Sequence, residues 1–182
     1  MACDNTRPCP CTYPCPRHGK CCECVAHHRE HNEGVPGCFF SPEAEATYDR
    51  SVKALARDGA AMLFAGTAME LLGKTITADD GTVYEGIGLG AFTSVQGKKR
   101  FVEDVYGTTD LYDGPVVGFM NKCSIIQGVE TPLVTAMDMG FGNSGEKTPE
   151  GFRFRNVFAS ELTGPILVKN PRLLGKVAQA IY

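Results

Sequence analysis

The stretch AAMLFAGTAMELLGK, residues 60–74, decides the fold of the larger part of the chain. Residues 60–65 form a short apolar run of the kind that makes a buried strand, and Gly66 follows directly. A helical pattern then reaches Leu72 and stops at Gly73. The order of strand, tight turn and helix predicts an α/β fold, with Gly66 at the carboxyl edge of the sheet.

Short strands separated by turns are predicted to follow. The turn signals are the Gly-rich and Asp-rich segments at 79–81, 113–115 and 142–145. The best strand candidates are residues 87–92, 100–105, 116–121 and 152–158. A last helix is predicted from Asn170 to Ile181, with Leu174, Val177 and Ile181 on its apolar face. Residues 59–182 are therefore predicted to be one α/β domain with a mixed sheet.

The amino-terminal part has a different composition. Residues 1–42 contain eight of the nine cysteines, all four histidines and six of the eleven prolines, but few large apolar side chains. Units of about 40 residues or fewer usually need metals, disulfides or oligomerisation to fold. We therefore predict a metal-binding module over residues 1–42. A linking helix over 43–58 is predicted next, because Ser41-Pro42 is a helix start and Gly59 a helix stop.

The Cys/His spacing favours a structural zinc site. Cys21 and Cys24 can place two thiolates on one ion, and zinc accepts mixed thiolate and imidazole ligands. An iron–sulfur cluster is the alternative, but interleaved histidines suit zinc better. A disulfide framework is disfavoured in a reducing cytosol. The candidate ligands are Cys9, Cys11, Cys15, His18, Cys21, Cys22, Cys24, His28 and Cys38, with Cys3 upstream.

Charge and hydropathy exclude two function classes. The net charge is −3, and no basic run exceeds residues 98–100, so nucleic-acid binding is not expected. The longest nearly apolar stretch, residues 60–69, is far shorter than the ~20 residues that cross a bilayer, and the start MACDNTRPCPC has no apolar signal core. We expect a soluble cytoplasmic protein.

Two resemblances extend this interpretation. Residues 1–57, through CPCTYPC, HGKCCEC, PGCFF and SPEAEATYDRS, resemble a short bacterial cytosolic Cys-rich module of unknown function. Residues 60–182 resemble the carboxyl-terminal half of a class I glutamine amidotransferase, in the branch of cobyric acid synthase and lipid II isoglutaminyl synthase. The motifs that carry this second resemblance are LFAGTAMELLGK, YEGIGLGAF, GKKRFVEDV, VVGFMNK, GFGN, EGFRFRNVF and LTGPILVKNP. It implies a truncated flavodoxin-like half-domain.

The catalytic pair of that family is not found at the corresponding positions. The resemblance places the cysteine nucleophile at Gly66 and the histidine general base at Thr163, and neither side chain can do that chemistry. Cys123 follows a different predicted strand and is expected to be a small packed residue. We therefore expect no glutamine hydrolysis. A vestigial pocket would be lined by Gly66, Thr67, Glu70 and Thr163.

Three functional hypotheses follow. The first is a non-catalytic amidotransferase-like accessory or scaffold protein, in the context of cobalamin or cell-wall precursor amidation. The second is an active glutamine amidotransferase of the cobyric acid synthase type, and the third is a zinc-binding protein-interaction module. Because the early parallel strands of the family are absent before residue 60, the sheet would have an open edge. We expect a homo-oligomer or a partner subunit to complete it.

Overall fold

The computed structural model describes residues 5–182, in two compact units. The first unit extends to Ala60 and the second is Ala61–Tyr182. The segment predicted as a separate linker therefore belongs to the first unit, together with the Cys-rich segment. Cys3 lies outside the described residues.

Short helices form the first unit. They are α1 (Cys21–His31), a 3₁₀ turn at Gly37–Phe39, α2 (Pro42–Glu45) and α3 (Val52–Asp58). The single helix predicted over 43–58 is thus two helices. Between them the Thr47 hydroxyl donates to the Ala44 carbonyl at 2.7 Å, and the Asp49 carboxylate accepts the Ser51 N–H at 3.0 Å. Such local side-chain bonds compete with helical backbone bonds, and they interrupt the helix here.

Glu45 at the end of α2 binds the Cys-rich segment. Its carboxylate accepts hydrogen bonds from the Thr12 N–H at 3.2 Å and the Thr12 hydroxyl at 2.7 Å. The Arg50 guanidinium donates to the same carboxylate at 2.6 Å and to the Glu45 carbonyl at 3.1 Å. Since Glu45 is only 3% exposed, this polar cluster adds to a small apolar core in which Phe40, Leu55 and Ala56 are buried.

Eight strands and two helices form most of the second unit. The 3₁₀ segment Gly66–Leu72 directly follows the first strand, where an α-helix was predicted. The strands are β1 (Met62–Ala65), β2 (Thr75–Thr77), β3 (Val83–Glu85), β4 (Thr93–Thr108), β5 (Pro115–Gln127), β6 (Ala136–Met139), β7 (Phe152–Phe154) and β8 (Val157–Ser160). The helices are α4 (Ile166–Lys169) and α5 (Pro171–Ile181).

These strands make two mixed sheets. In the first, β8 is central, with β1 parallel on one side and β7 antiparallel on the other. In the second, the order is β3-β2-β4-β5, with β6 also paired to β4. The second sheet is dominated by the long antiparallel β4–β5 pair, whose register shifts between Gln96 and Phe101. This is an α/β fold with mixed sheets, compatible with the predicted half-domain.

Some predicted strands differ from the observed ones. The prediction of a strand at 87–92 was wrong, because the N–H groups of Ile87, Gly88 and Gly90 donate to carbonyls at the end of the 3₁₀ segment. The strand predicted over 152–158 is a hairpin, β7 and β8, that turns at Arg155 with φ 48°. The predicted strands at 100–105 and 116–121 are interior parts of β4 and β5.

The core of the second unit lies between the strands and the two carboxyl-terminal helices. The predicted last helix is confirmed as α5, but its buried side chain is Leu173, whereas Leu174 is 47% exposed. Fully buried members of this core are Val116, Met120, Leu133, Val134, Leu162 and Leu173. Among residues 5–182, no helix combines the length and the apolar character that a bilayer span requires.

Candidate functional site

Gly66 and Thr163 lie against each other at the carboxyl edge of the first sheet. Strands β1 and β8 are parallel, and Ala65 pairs with Ser160, so the residues that follow both strands emerge at the same edge. Gly66 has φ 66°, which a glycine adopts without strain. A Cβ placed on Gly66 would lie 3.1 Å from Thr163 Cγ2. The structure thus brings together the two positions that the resemblance aligns with nucleophile and base.

The pair lacks the groups that the family chemistry needs. Gly66 has no side chain, and a threonine hydroxyl does not accept a proton near neutral pH as an imidazole does. A cysteine at position 66 would also need left-handed backbone and a small displacement of Thr163. This edge therefore has a glycine with positive φ directly after β1, and neither a thiol nor an imidazole at positions 66 and 163.

The other two predicted pocket residues differ in exposure. Thr67 is exposed, whereas Glu70 is only 1% exposed and accepts a hydrogen bond from the Ser94 hydroxyl. A cavity of about 580 Å³ in this unit is instead lined by residues 153–156 and by Lys176 and Gln179 of α5.

Four charged side chains are buried in the second unit. Glu70, Lys122, Glu150 and Glu161 are each at most 2% exposed. Sequence reasoning named only Glu70. One signal was available for Lys122: β5 alternates, so Lys122 falls on the same inward face as Met120. The positions of Glu150 and Glu161 depend on tertiary structure.

Hydrogen bonds hold the buried cluster in place. Glu150 accepts from the Ser160 hydroxyl at 2.9 Å and from the Glu161 N–H at 2.7 Å. Lys122 Nζ donates to the Asn143 carbonyl at 3.0 Å. Within the described chain, one oxygen each of Glu70 and Glu161 has no hydrogen-bond partner. The cluster is therefore only partly satisfied, which makes full ionisation costly.

Burial dominates the protonation of this cluster. It raises the pKa of Glu150 to about 7, against the lowering effect of its hydrogen bonds and of Lys122. It also raises the pKa of Glu161 to about 7, opposed by Lys122. Burial lowers the pKa of Lys122, while the three carboxylates around it act in the other direction. Because water is excluded from this site, ionising three carboxyl groups beside a single lysine carries a large free-energy cost.

Sulfur and imidazole groups of the first unit surround two cavities. The larger, about 390 Å³, is lined by Cys9, Cys11, Cys15, Cys24 and the imidazoles of His18, His27 and His28. The smaller, about 340 Å³, is lined by Cys9, Cys21, Cys24 and Cys38. Cys9 and Cys24 line both. The remaining predicted ligand, Cys22, is exposed on α1.

Three of the four histidines have side-chain partners within the unit. His28 Nδ1 lies 3.2 Å from the Gly34 carbonyl, an arrangement that leaves Nε2 for another ligand. His27 Nε2 lies 3.2 Å from the Glu33 carboxylate, and His31 Nδ1 lies 3.0 Å from the His27 carbonyl.

The cysteine and histidine side chains of the first unit are of the types that bind a soft metal ion, but they are not arranged around a common point. None of the eight cysteines at positions 9–123 forms a disulfide. Over residues 5–182, no three Cys, His, Asp or Glu side chains stand in an arrangement that would hold an ion as they are. Thiolates and imidazoles are nevertheless the ligands that zinc prefers. Binding would require side-chain rotation that brings the sulfurs together.

No protein-family model matches the chain. Similarity is found to the Lipid II isoglutaminyl synthase (glutamine-hydrolyzing) subunit GatD of Streptococcus pneumoniae, at 33% identity over 119 residues, which is 64% of this chain and 45% of that protein. The GatD subunit of Staphylococcus aureus is 32% identical over 101 residues, which is 56% of this chain and 41% of that protein. The chain thus spans less than half the length of these relatives. The similarity supports the amidotransferase-like resemblance.

Proposed function

We propose that, like the GatD subunits it resembles, the second unit is an amidotransferase-like domain, but one that does not hydrolyse glutamine. It would act as an accessory or scaffold subunit in the amidation of a cell-wall precursor. The names of the two relatives favour this context over cobalamin amidation. One observation carries the proposal: Gly66 and Thr163 lie in contact where the reacting pair would stand.

The physical argument concerns the nucleophile and the base. Amide hydrolysis by this family's route needs a thiolate, and an adjacent base to generate it. The edge of the first sheet provides neither, since Gly66 lacks a side chain and Thr163 carries a hydroxyl. Cys123 lies within β5 and is half-buried. Its strand is in the other sheet, which disfavours it as a substitute nucleophile.

A glutaminase assay on the purified full chain tests this proposal. We expect ammonia release from glutamine to equal the enzyme-free blank, for the wild type and for Cys123→Ser alike. Wild-type activity that Cys123→Ser abolishes would instead support the rival hypothesis of an active amidotransferase. Activity that survives Cys123→Ser would also contradict the proposal, because it would require a nucleophile elsewhere.

We further propose that another chain completes the first sheet. Among the described residues β1 pairs only with β8, and Leu63 on this edge strand is 37% exposed. Unpaired N–H and C=O groups along a strand edge favour pairing with a further strand. The completing chain would be a second copy or a separate subunit, as the word subunit in the names of both relatives suggests.

Light scattering after size exclusion separates these two cases. A second copy predicts a mass of twice the 19.6 kDa of one chain. In that case Leu63→Pro, which removes an N–H on the side of β1 that faces away from β8, should return the mass to one chain. A wild-type monomer would exclude self-pairing and leave a separate subunit as the completing chain.

A further inference from the structure

We propose that the first unit binds one zinc ion through the thiolates of Cys9, Cys11, Cys24 and Cys38. The spacing of the sequence allowed nine ligands in any combination. The structure distinguishes these four by where they lie. This proposal is independent of the function proposed for the second unit.

The two cavities define the four sulfurs. Cys9 and Cys24 line both cavities and therefore stand at the partition between them. Cys11 faces the larger cavity, and Cys38 faces the smaller. An ion bound at the partition would reach one sulfur on each side and the two that the cavities share. Cys15 lines the larger cavity as Cys11 does, but the Cys11 sulfur is the one that lies against Gly37, beside Cys38. Cys21 lines the smaller cavity as Cys38 does, but its sulfur already accepts a hydrogen bond from the Asn5 amide at 3.1 Å.

Gly37 allows two of these sulfurs to approach. A Cβ built on Gly37 would lie 2.8 Å from Cys11 Sγ, a distance that real side chains do not tolerate. Cys11 therefore lies against the residue that directly precedes Cys38. The Arg50 guanidinium lies 3.1 Å from the same point. The same guanidinium is paired with the Glu45 carboxylate at 2.6 Å, so only part of its positive charge would act on a site whose four thiolates exceed the charge of the ion by two.

A zinc ion at this site would join segments of the first unit that make few other stabilising contacts with one another. Cys9 and Cys11 lie in the irregular segment before α1. Cys24 lies in α1, and Cys38 lies in the 3₁₀ turn at Gly37–Phe39. Helix α1 has no buried residue, so apolar packing contributes little to its position. On binding, four S–H bonds break, four Zn–S bonds form and four protons pass to solvent, with no change of oxidation state.

Thiol protection is the first test. The full chain would be purified without chelator, and its zinc content measured by elemental analysis. Alkylation before and after chelation, followed by peptide mapping, then identifies each protected sulfur. We expect about one zinc per chain, with Cys9, Cys11, Cys24 and Cys38 protected until zinc is removed. Exposed Cys22 should react equally in both states.

Cobalt substitution and variants supply the second test. The Co²⁺ form should show the absorption of a tetrahedral site with four thiolates. Cys24→Ser and Cys38→Ser should each change that spectrum and lower zinc affinity at least 10-fold. Cys22→Ser and Cys123→Ser are the matched controls and should leave both unchanged.

Other outcomes would overturn the assignment. Iron with visible absorbance in the purified chain would show that the unit binds an iron–sulfur cluster and not zinc. Protection of any other cysteine in place of one of the four would show that the ligand set is different. A wild-type Co²⁺ spectrum of mixed thiolate and imidazole ligation would do the same.

Discussion

Replacing Glu161 with glutamine is expected to stabilise the second unit at pH 8, by up to about 3 kcal/mol. The side chain is 1% exposed, and one of its carboxylate oxygens has no hydrogen-bond partner within the described chain. At pH 8 the wild-type unit must bury this charge beside Glu70 and Glu150, with Lys122 as the opposing charge in the cluster. Glutamine keeps the shape of the side chain and removes the charge.

We expect the free energy of unfolding of the second unit to fall as pH rises. The pKa of Glu161 rises from 4.5 to about 7 on folding, because of burial. Below pH 4.5 both states are protonated, and the stabilising contribution is fully present. Between pH 4.5 and about 7 the unfolded chain loses a proton that the folded chain keeps, so stability falls as pH rises. Glu150 contributes in the same direction. Burial lowers the pKa of Lys122, which acts at higher pH and in the opposite direction.

Urea unfolding of the second unit at several pH values between 5 and 8 measures this effect. Glu161→Gln should flatten the decline in unfolding free energy with pH, relative to the wild type. Glu130→Gln makes the same change of charge at an exposed position and should follow the wild-type curve. Parallel curves for all three proteins would show that Glu161 does not titrate in this range.

Asn170→Ala is expected to destabilise the second unit by about 3 kcal/mol, since it removes three hydrogen bonds at a residue that is 3% exposed. The Asn170 amide donates to the Val117 carbonyl and to the Ile166 carbonyl, both at 2.7 Å. Its side-chain oxygen accepts the Val117 N–H at 2.8 Å. One side chain thus joins β5 to both carboxyl-terminal helices, and alanine would leave three backbone groups without partners.

Thermal unfolding, with two further variants, measures the loss. Asn170→Asp keeps the acceptor for Val117 but loses both donors, so it should also destabilise the unit. Asn121→Ala removes an exposed asparagine of β5 that accepts from Arg100 and should change stability by less than about 0.5 kcal/mol. Equal effects of Asn121→Ala and Asn170→Ala would contradict the prediction.

Local sequence signals explain which parts of the fold could be predicted. The apolar run before Gly66 and the Asn-Pro start of α5 are strong signals, and both elements form where expected. The interrupted helix between Pro42 and Asp58 was missed because apolar periodicity does not weigh the side-chain bonds of Thr47 and Asp49. The prediction of a strand at 87–92 was wrong for a different reason. Its N–H groups donate to carbonyls at the end of the 3₁₀ segment and not to another strand, and no local sequence pattern indicates this.

The candidate sites also combine features that the sequence predicts with features that depend on tertiary structure. Residue type and spacing predict which atoms are able to bind a metal, but not which sulfurs converge. Convergence depends on how the segment with Cys9 and Cys11 packs against α1 and the turn at Cys38. The positions of Gly66 and Thr163 came from the family resemblance, and their contact from the parallel pairing of β1 and β8. Burial of Glu150 and Glu161 has no local signature.

From the connectivity of the two sheets we expect a particular order of folding. Strands β4 and β5 are consecutive and joined by a short loop, so their pairing closes quickly. The β1–β8 pairing joins Met62 to Val157 and must close a loop that includes most of the second unit. We expect this closure to be the late, slow step. We expect Gly66 and Thr163 to meet only when it is complete, so that their contact reports the closure of the first sheet.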